Sequence, residues 1–249
     1  MPRTTLFLCL GILNGLFTFM TWAPVNASEL KPVILSTHNL YPYGYFNFKG
    51  EFIGSAVDVV RCIFDRMKQP YKFAVVPWKR AQKMASYGTS DGFFAASQNE
   101  QRDAFGVRTE FIADQNWTWF LLKSHRYHPN DPDFKEKAKV SSFLGANMHK
   151  WLIDNGFNID SSPPRTTEIL LMKLLGERID AALANEQVMT ALLAKHNMQD
   201  KVISVLNKQK PLAVYFSKKF LSTAPGFIDA FNSHVKDCRS IYKTTIYAP

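Results

Sequence analysis

The stretch Pro77-Trp-Lys-Arg-Ala-Gln-Lys-Met-Ala-Ser-Tyr-Gly-Thr-Ser-Asp-Gly-Phe-Phe-Ala-Ala-Ser-Gln-Asn-Glu-Gln-Arg102 reads as a helix, a turn, a strand and a polar loop ending on a cation. Trp78, Ala81, Met84 and Ala85 recur at helical spacing, and Gly88 stands where a left-handed C-terminal cap is expected. Gly92 to Ala96 is a short apolar run between turn residues, which suits a buried strand of a parallel sheet. Ser97 opens a polar segment that reaches Arg102. A loop leaving the C-terminal end of a parallel strand is where α/β proteins hold small ligands. A hydroxyl and a guanidinium there suit a carboxylate, because Arg presents two parallel donors to its two oxygens. The competing reading has Arg102 paired on the surface with Glu100 or Asp103.

Outward from that stretch, strands and helices alternate. Pro32 to Thr37, Tyr71 to Val76, Trp117 to Leu122, Lys139 to Phe143, Ile179 to Ala184, Val202 to Leu206 and Leu212 to Phe216 read as strands. Ser55 to Met67, with Ser55 as N-cap, reads as an amphipathic helix, and so do Asn147 to Asn155, a helix capped by Thr166 or Thr167 and running to Leu175, Asn185 to His196, and Gly226 to Cys238. His125 to Lys137 holds Pro129 and Pro132 and reads as a surface excursion. The alternation predicts an α/β fold of parallel sheets covered by helices.

The N-terminus reads as a secretory signal peptide over residues 1–27: a basic start at Arg3, an apolar run from Leu6 to Met20, and small residues around Val25-Asn-Ala27. Export to the periplasm follows. Removing the leader takes away one charged residue, Arg3, from a formal charge of +9. The remaining Lys and Arg residues are scattered and match no nucleic-acid motif, so nucleic acid is not expected as a partner. Cys62 and Cys238 remain after the leader; in an oxidising compartment they form a disulfide or stand as two buried thiols. No metal-ligand spacing and no phosphate-cradling glycine motif occurs, so no metal and no cofactor is expected.

Gly88-Thr-Ser-Asp-Gly92 matches the Gly-x-Ser-x-Gly pattern of hydrolase nucleophiles, but here a helix enters and a strand leaves, the reverse of what that chemistry needs. Ser90 is therefore read as a turn residue. Glu168, Asp180 and Glu186 are the acids that could do proton-transfer work, against a plain role as solvated caps and surface charges.

Four pieces in order carry a resemblance: Tyr41-Pro-Tyr43 followed by Lys49-Gly-Glu-Phe-Ile-Gly-Ser-Ala-Val-Asp58; Pro77-Trp78; Gly88 to Arg102; and Gly176-Glu-Arg-Ile-Asp-Ala-Ala-Leu-Ala-Asn185. Together they resemble the family 3 extracellular solute-binding proteins of the amino-acid-binding type. The resemblance implies the two-lobed periplasmic-binding-protein-like fold of type II, each lobe a sheet flanked by helices, with two crossover strands between them. Lobe 1 would comprise residues 28–115 and 209–249, and lobe 2 residues 116–208. It implies that Tyr41 and Trp78 flank a ligand, that Ser97 and Arg102 bind its carboxylate, and that Asn147 and Asn185 close over it from lobe 2. The family usually has an Asp where Asn185 stands, pairing with an α-ammonium; Asn supplies no charge, so the ligand is a small carboxylate, amino acid or not. A monomeric, non-enzymatic binding protein that closes about a hinge and serves an ABC permease or a membrane receptor is implied. The alternatives are a periplasmic enzyme on the same scaffold, similar to cyclohexadienyl dehydratase and using Glu168 or Glu186, and a sensory module.

Overall fold

A computed structural model describes residues 1, 2 and 30–242; the expected leader lies outside the described residues, apart from its first two positions. The chain opens with β1 (Val33–Thr37), β2 (Tyr45–Phe46), β3 (Phe52–Ile53), α1 (Ser55–Arg66), β4 (Tyr71–Val75) and α2 (Trp78–Tyr87). Next come β5 (Gly92–Ala96), α3 (Glu100–Asp103) and β6 (Gly106–Ala113), after which the chain crosses to a second sheet. That sheet and its cover are built from β7 (Asn116–Leu122), α4 (Phe134–Lys137), β8 (Val140–Ser141), α5 (Asn147–Asp154), α6 (Thr167–Leu175), β9 (Ala181–Asn185), α7 (Glu186–Lys195) and β10 (Val202–Gln209). The chain then returns through β11 (Leu212–Ser217), α8 (Lys218–Leu221) and α9 (Phe227–Tyr242).

The result is two lobes, each a sheet flanked by helices. The first sheet has the order β4-β1-β5-β11-β6 and the second β10-β7-β9-β8. Around Leu35, Phe64, Phe94, Val214 and Phe216 the first lobe packs α1 and α9 on its sheet. The second lobe has a core on each face, one around Trp119, Leu121 and Leu183 and the other around Phe120, Leu171 and Met189. The connections between the lobes are short: Asp114 and Gln115 leading out, Lys210 and Pro211 leading back.

The sheets are mixed, not parallel as the alternation predicts. β1 runs parallel to β4 and β5, but β11 is antiparallel to both β5 and β6. In the second sheet β7 is antiparallel to β9 and β10, and only β8 and β9 are parallel. The crossings are the cause. β6 leaves its sheet at the crossing and β11 enters at the same end, so the two must run in opposite directions; the same holds for β7 and β10.

Helix α2 buries Trp78, Ala81 and Ala85 and stops at Gly88, whose φ of 74° is the left-handed cap that turns the chain into β5. Every residue of β5 is buried, but it is not a regular strand: the register against β11 slips between Ala213 and Val214, and Ala95 takes a φ of 63°. This is a bulge, and it bends the strand end that leads to Ser97. Ser55 is not an N-cap; it is the first helical residue of α1, Gly54 precedes it, and no side-chain cap is made. Cys62 of α1 and Cys238 of α9 are joined by a disulfide with Cα atoms 5.8 Å apart. Among the described residues no helix is long and apolar enough to cross a membrane, and no metal-binding cluster of His, Cys, Asp or Glu occurs.

Candidate functional site

The ends of β1, β5 and β9 and the first turns of α2, α5 and α6 converge on one crevice between the lobes. The first lobe lines it with His38, Leu40, Trp78, Ala95, Ser97 and Arg102. The second lobe contributes Phe143, Ala146, Asn147, Met148, Thr167 and Asn185, and the crossings contribute Gln115 and Leu212. The walls leave a cavity of about 30 Å³, room for only about two or three waters. The molecule is shut, and any ligand of several heavy atoms requires the lobes to part.

Arg102 is the centre of this crevice. Its side chain is only 2% exposed. Nε donates to Gln82 Oε1 at 3.1 Å, Nη1 donates to the Ser97 carbonyl, and its backbone N–H donates to Asn99 Oδ1 at 2.7 Å. The guanidinium lies 5.1 Å from the centre of the Trp78 ring, close enough for cation–π attraction. It sits in a short helix rather than an open loop, and it does not pair with Glu100 or Asp103. Asp103 instead accepts from the Tyr215 hydroxyl at 2.7 Å and from Gln98. Burial lowers the Arg102 pKa to about 10, partly opposed by Tyr215 and Asp103, so the group keeps its charge at neutral pH. Among the described residues it has no ion-pair partner. A buried cation without a counter-charge costs several kcal/mol unless an anion joins it.

The ring beside Trp78 is His38, with centroids 4.5 Å apart and planes at 37°. Both of its ring nitrogens are buried without a hydrogen-bond partner. Burial, and then the Arg102 charge, lower its pKa to about 3, so the imidazole is neutral at neutral pH. No motif in the sequence marks His38. The available signal is its place directly after the first strand, at the end where open α/β sheets bind ligands. Tyr41, expected beside Trp78, lies elsewhere. The Leu40–Gly44 turn, closed by Leu40 N–H donating to Gly44 O at 2.6 Å, carries it away from the crevice. Its ring meets Tyr45 edge-on at 4.8 Å and lines a broad groove of about 1040 Å³ with Pro42, Glu186 and Arg239. That groove is far larger, but it contains no buried, unpaired charge; the crevice does.

Asn147 and Asn185 face the first lobe in different ways. Asn147 Nδ2 donates to Ser97 Oγ at 2.8 Å, to Ser97 O at 3.0 Å and to Gln98 O at 3.2 Å, while its Oδ1 accepts from Asn99. Beside it Gly145 has a φ of 87°, and a Cβ there would stand 2.9 Å from Lys79 Cγ of α2, so the two lobes touch with no room for a side chain. Asn185 caps α7, its Oδ1 accepting from Val188 N–H at 3.2 Å and, more weakly, from the Tyr43 hydroxyl at 3.4 Å. Its Nδ2 is buried without a partner.

Five of the six residues singled out in the sequence, Trp78, Ser97, Arg102, Asn147 and Asn185, therefore line one cavity; Tyr41 does not. Glu186 accepts from Asn116 at 2.6 Å and lines the broad groove. Glu168 pairs with Lys195 at 3.0 Å and His196 at 3.1 Å, and those bonds hold its carboxyl below the usual range. Asp180 accepts from the Lys139 backbone N–H at 2.7 Å. Ser90 is a buried turn residue whose hydroxyl lies 3.0 Å from that of Ser36 and donates to Gly92 O.

No protein-family model matches this sequence, and no curated protein sequence matches it either. Solved structures do match in fold. A histidine kinase sensor domain with similarity to periplasmic binding proteins superimposes with a TM-score of 0.75 at 15% identity, covering 86% of this chain and 93% of that one. The arginine-, lysine- and histidine-binding protein ArtJ of Geobacillus stearothermophilus gives 0.70 at 15% identity, over 86% and 91% of the two chains. A histidine-bound substrate-binding protein of an ABC uptake transporter from Streptococcus pneumoniae gives 0.70 at 14%, over 85% and 87%. The chain has the fold of the amino-acid-binding periplasmic solute-binding proteins.

Proposed function

We propose that this chain is an exported solute-binding protein that captures a small carboxylate-bearing ligand between its lobes and hands it to an ABC-type uptake system. Lobe 1 is read as residues 28–115 and 209–249 and lobe 2 as residues 116–208, with the chain acting as a periplasmic monomer. The observation that carries the reading is Arg102: a charged, buried guanidinium on an indole ring, at the crevice of a two-lobed binding fold, with no ion-pair partner among the described residues. A ligand carboxylate would supply the missing counter-charge, with Ser97 as a further donor and Trp78 and His38 as the flat wall. Asn147 and Asn185 would engage it from the other side. Contacts made only in the shut form shift the population toward that form; moving it from 1:99 to 99:1 takes about 5.5 kcal/mol of differential affinity. The likeness to a sensor domain supports a second reading, in which the shut form is sensed by a membrane receptor; finding a permease and an ATPase encoded next to this chain would favour uptake instead.

A thermal-shift screen of the purified chain against amino acids, oxo acids and dicarboxylates tests the proposal. Stabilisation by a carboxylate is expected, and Arg102→Ala should remove it. A carboxylate that stabilises wild type and Arg102→Ala equally would take Arg102 out of the site and end the proposal. Turnover of prephenate or arogenate would replace it with the enzyme reading.

A further inference from the structure

The polar groups of the crevice differ in sign and in what they lack. One is a cation, Arg102; the others are neutral: His38, Ser97, Gln115, Asn147, Thr167 and Asn185. Among the described residues that line it there is no Asp or Glu. Acids next to lining residues are committed elsewhere: Asp103 to Tyr215 and Gln98, Asp114 to Arg239 at 2.8 Å, Glu168 to Lys195 and His196, and Glu186 to Asn116.

Asn185 sharpens the point. Its amide cannot be turned round to offer an oxygen, because Oδ1 is the acceptor that caps α7 through Val188 N–H. What remains unsatisfied on this crevice-lining residue, only 4% exposed, is Nδ2, a donor without a partner. A buried donor left unpaired costs about 1–3 kcal/mol. A ligand that satisfies it must bring an acceptor. An ammonium group brings donors only, and it would enter a crevice whose one charge is already positive, with no anion to offset its desolvation. His38 adds a neutral imidazole, with one nitrogen to donate and one to accept, which suits a hydroxyl or carbonyl oxygen equally well.

Resting on the binding function proposed above, we infer that the ligand is a carboxylic acid without an ammonium group, one that carries a second oxygen acceptor. That class comprises 2-oxo acids, 2-hydroxy acids and dicarboxylates. The first carboxylate meets Arg102 and Ser97, and the second oxygen meets Asn185 Nδ2 and His38. Amino acids with the same side chain are rejected at the carbon where the ammonium stands.

The test compares matched sets by titration calorimetry on the purified chain: pyruvate, lactate and alanine; 2-oxoglutarate, 2-hydroxyglutarate and glutamate; phenylpyruvate, phenyllactate and phenylalanine. Within whichever set binds, the oxo or hydroxy acid should bind at least about tenfold tighter than the amino acid, the scale set by an unmatched buried hydrogen bond or charge. Asn185→Asp keeps the helix cap, since Asp caps as well as Asn, and should reverse that order. An amino acid that binds wild type more tightly than its oxo and hydroxy partners overturns this inference and leaves the binding function standing. If no member of any set binds, this inference falls together with that function.

Discussion

The two walls of the crevice are built for different tasks. The first-lobe wall is held from within its own lobe: Gln82, Ser97 and Asn99 accept from Arg102, and Trp78 backs it. The second-lobe wall is not. Asn147 spends its amide on Ser97, Gln98 and Asn99 across the crevice, bonds that exist only while the lobes are shut. One wall carries charge and fixed geometry, the other neutral amides and the act of closing. Capture of the carboxylate and closure are thereby assigned to separate parts of the chain, with Asn185 of the second wall left to read the rest of the ligand, and substitutions should separate the two steps as well.

The largest effect should come from the staple that only the first lobe possesses. The Cys62–Cys238 link closes a loop of 176 residues in sequence separation, and cross-links of long loops contribute about 2–5 kcal/mol, mainly by constraining the unfolded chain. Cys62→Ala with Cys238→Ala should lower unfolding stability by that amount in denaturant titration. Affinity should stay within about twofold, because the crevice lies away from α1 and α9 and sites without shared partners act additively. A loss of affinity matching the loss of stability would mean that the first wall is not self-supporting.

The cation has an effect of the same size, on binding rather than on stability. Arg102→Ala should weaken binding of the best carboxylate by about 2–5 kcal/mol, the usual cost of removing one partner of a buried charge pair. Arg102→Lys should recover part of it, since a point charge cannot present two parallel donors. Asn147→Ala should cost less and act differently, through the closing equilibrium: about 1–2 kcal/mol for the hydrogen bonds lost across the lobes, seen as a larger radius of gyration for the unliganded chain in small-angle scattering. Equal effects of both substitutions on affinity and on shape would erase the division between the walls.

A pH titration probes the same division through His38. Its pKa in the shut form is about 3, against an ordinary value of 6.5. Hydrated forms, open or unfolded, therefore bind the proton first, and the shut form is favoured fully above pH 6.5 and loses ground as pH falls below it. The loss is about 1.4 kcal/mol per pH unit, so about 2 kcal/mol by pH 5. No acid lines the crevice to mask the effect, and Arg102 does not titrate there. The unliganded chain should expand between pH 6.5 and 5 in scattering, and His38→Phe should remove most of that expansion, leaving the part due to His149, whose pKa burial and Lys79 also lower.

Much of this architecture is legible from Pro77 to Arg102. The helical spacing of Trp78, Ala81 and Ala85, the glycine at Gly88 and the apolar run after it are local signals, and each maps onto one element. Direction is not legible: β11 and β7 look like any other apolar run, and what makes them antiparallel is the path of the chain between lobes. The eight-residue strand β6 escapes a reading by pattern because its sequence, Gly106-Val-Arg-Thr-Glu-Phe-Ile-Ala113, mixes charged and apolar positions, as an edge strand does. Which cavity Tyr41 lines is not legible either, because the short Leu40–Gly44 turn, not a pattern in the sequence, sets its place. His38 escapes notice because a lone histidine after a strand carries no pattern of its own.

The bulge at Ala95 is equally invisible, since alanine gives no warning of a left-handed backbone. It yields the smallest predicted effect. A non-glycine residue at a φ of 63° carries a strain of about 1–2 kcal/mol. Glycine relieves the strain but gives the unfolded chain more freedom, which takes back about 0.4–1 kcal/mol. Ala95→Gly should therefore stabilise the protein by less than about 1.5 kcal/mol while leaving the bulge in place, whereas Ala95→Val, branched at Cβ, should destabilise it. The decisive comparison is affinity. If the bulge serves to aim Ser97 at the ligand, Ala95→Gly should keep binding within a factor of about two, as a substitution that preserves local geometry does. Ala95→Val should lose binding through a misdirected Ser97. Were Ala95→Val to bind normally with lowered stability, the bulge would be a packing feature of β5 and β11 and not part of the first wall.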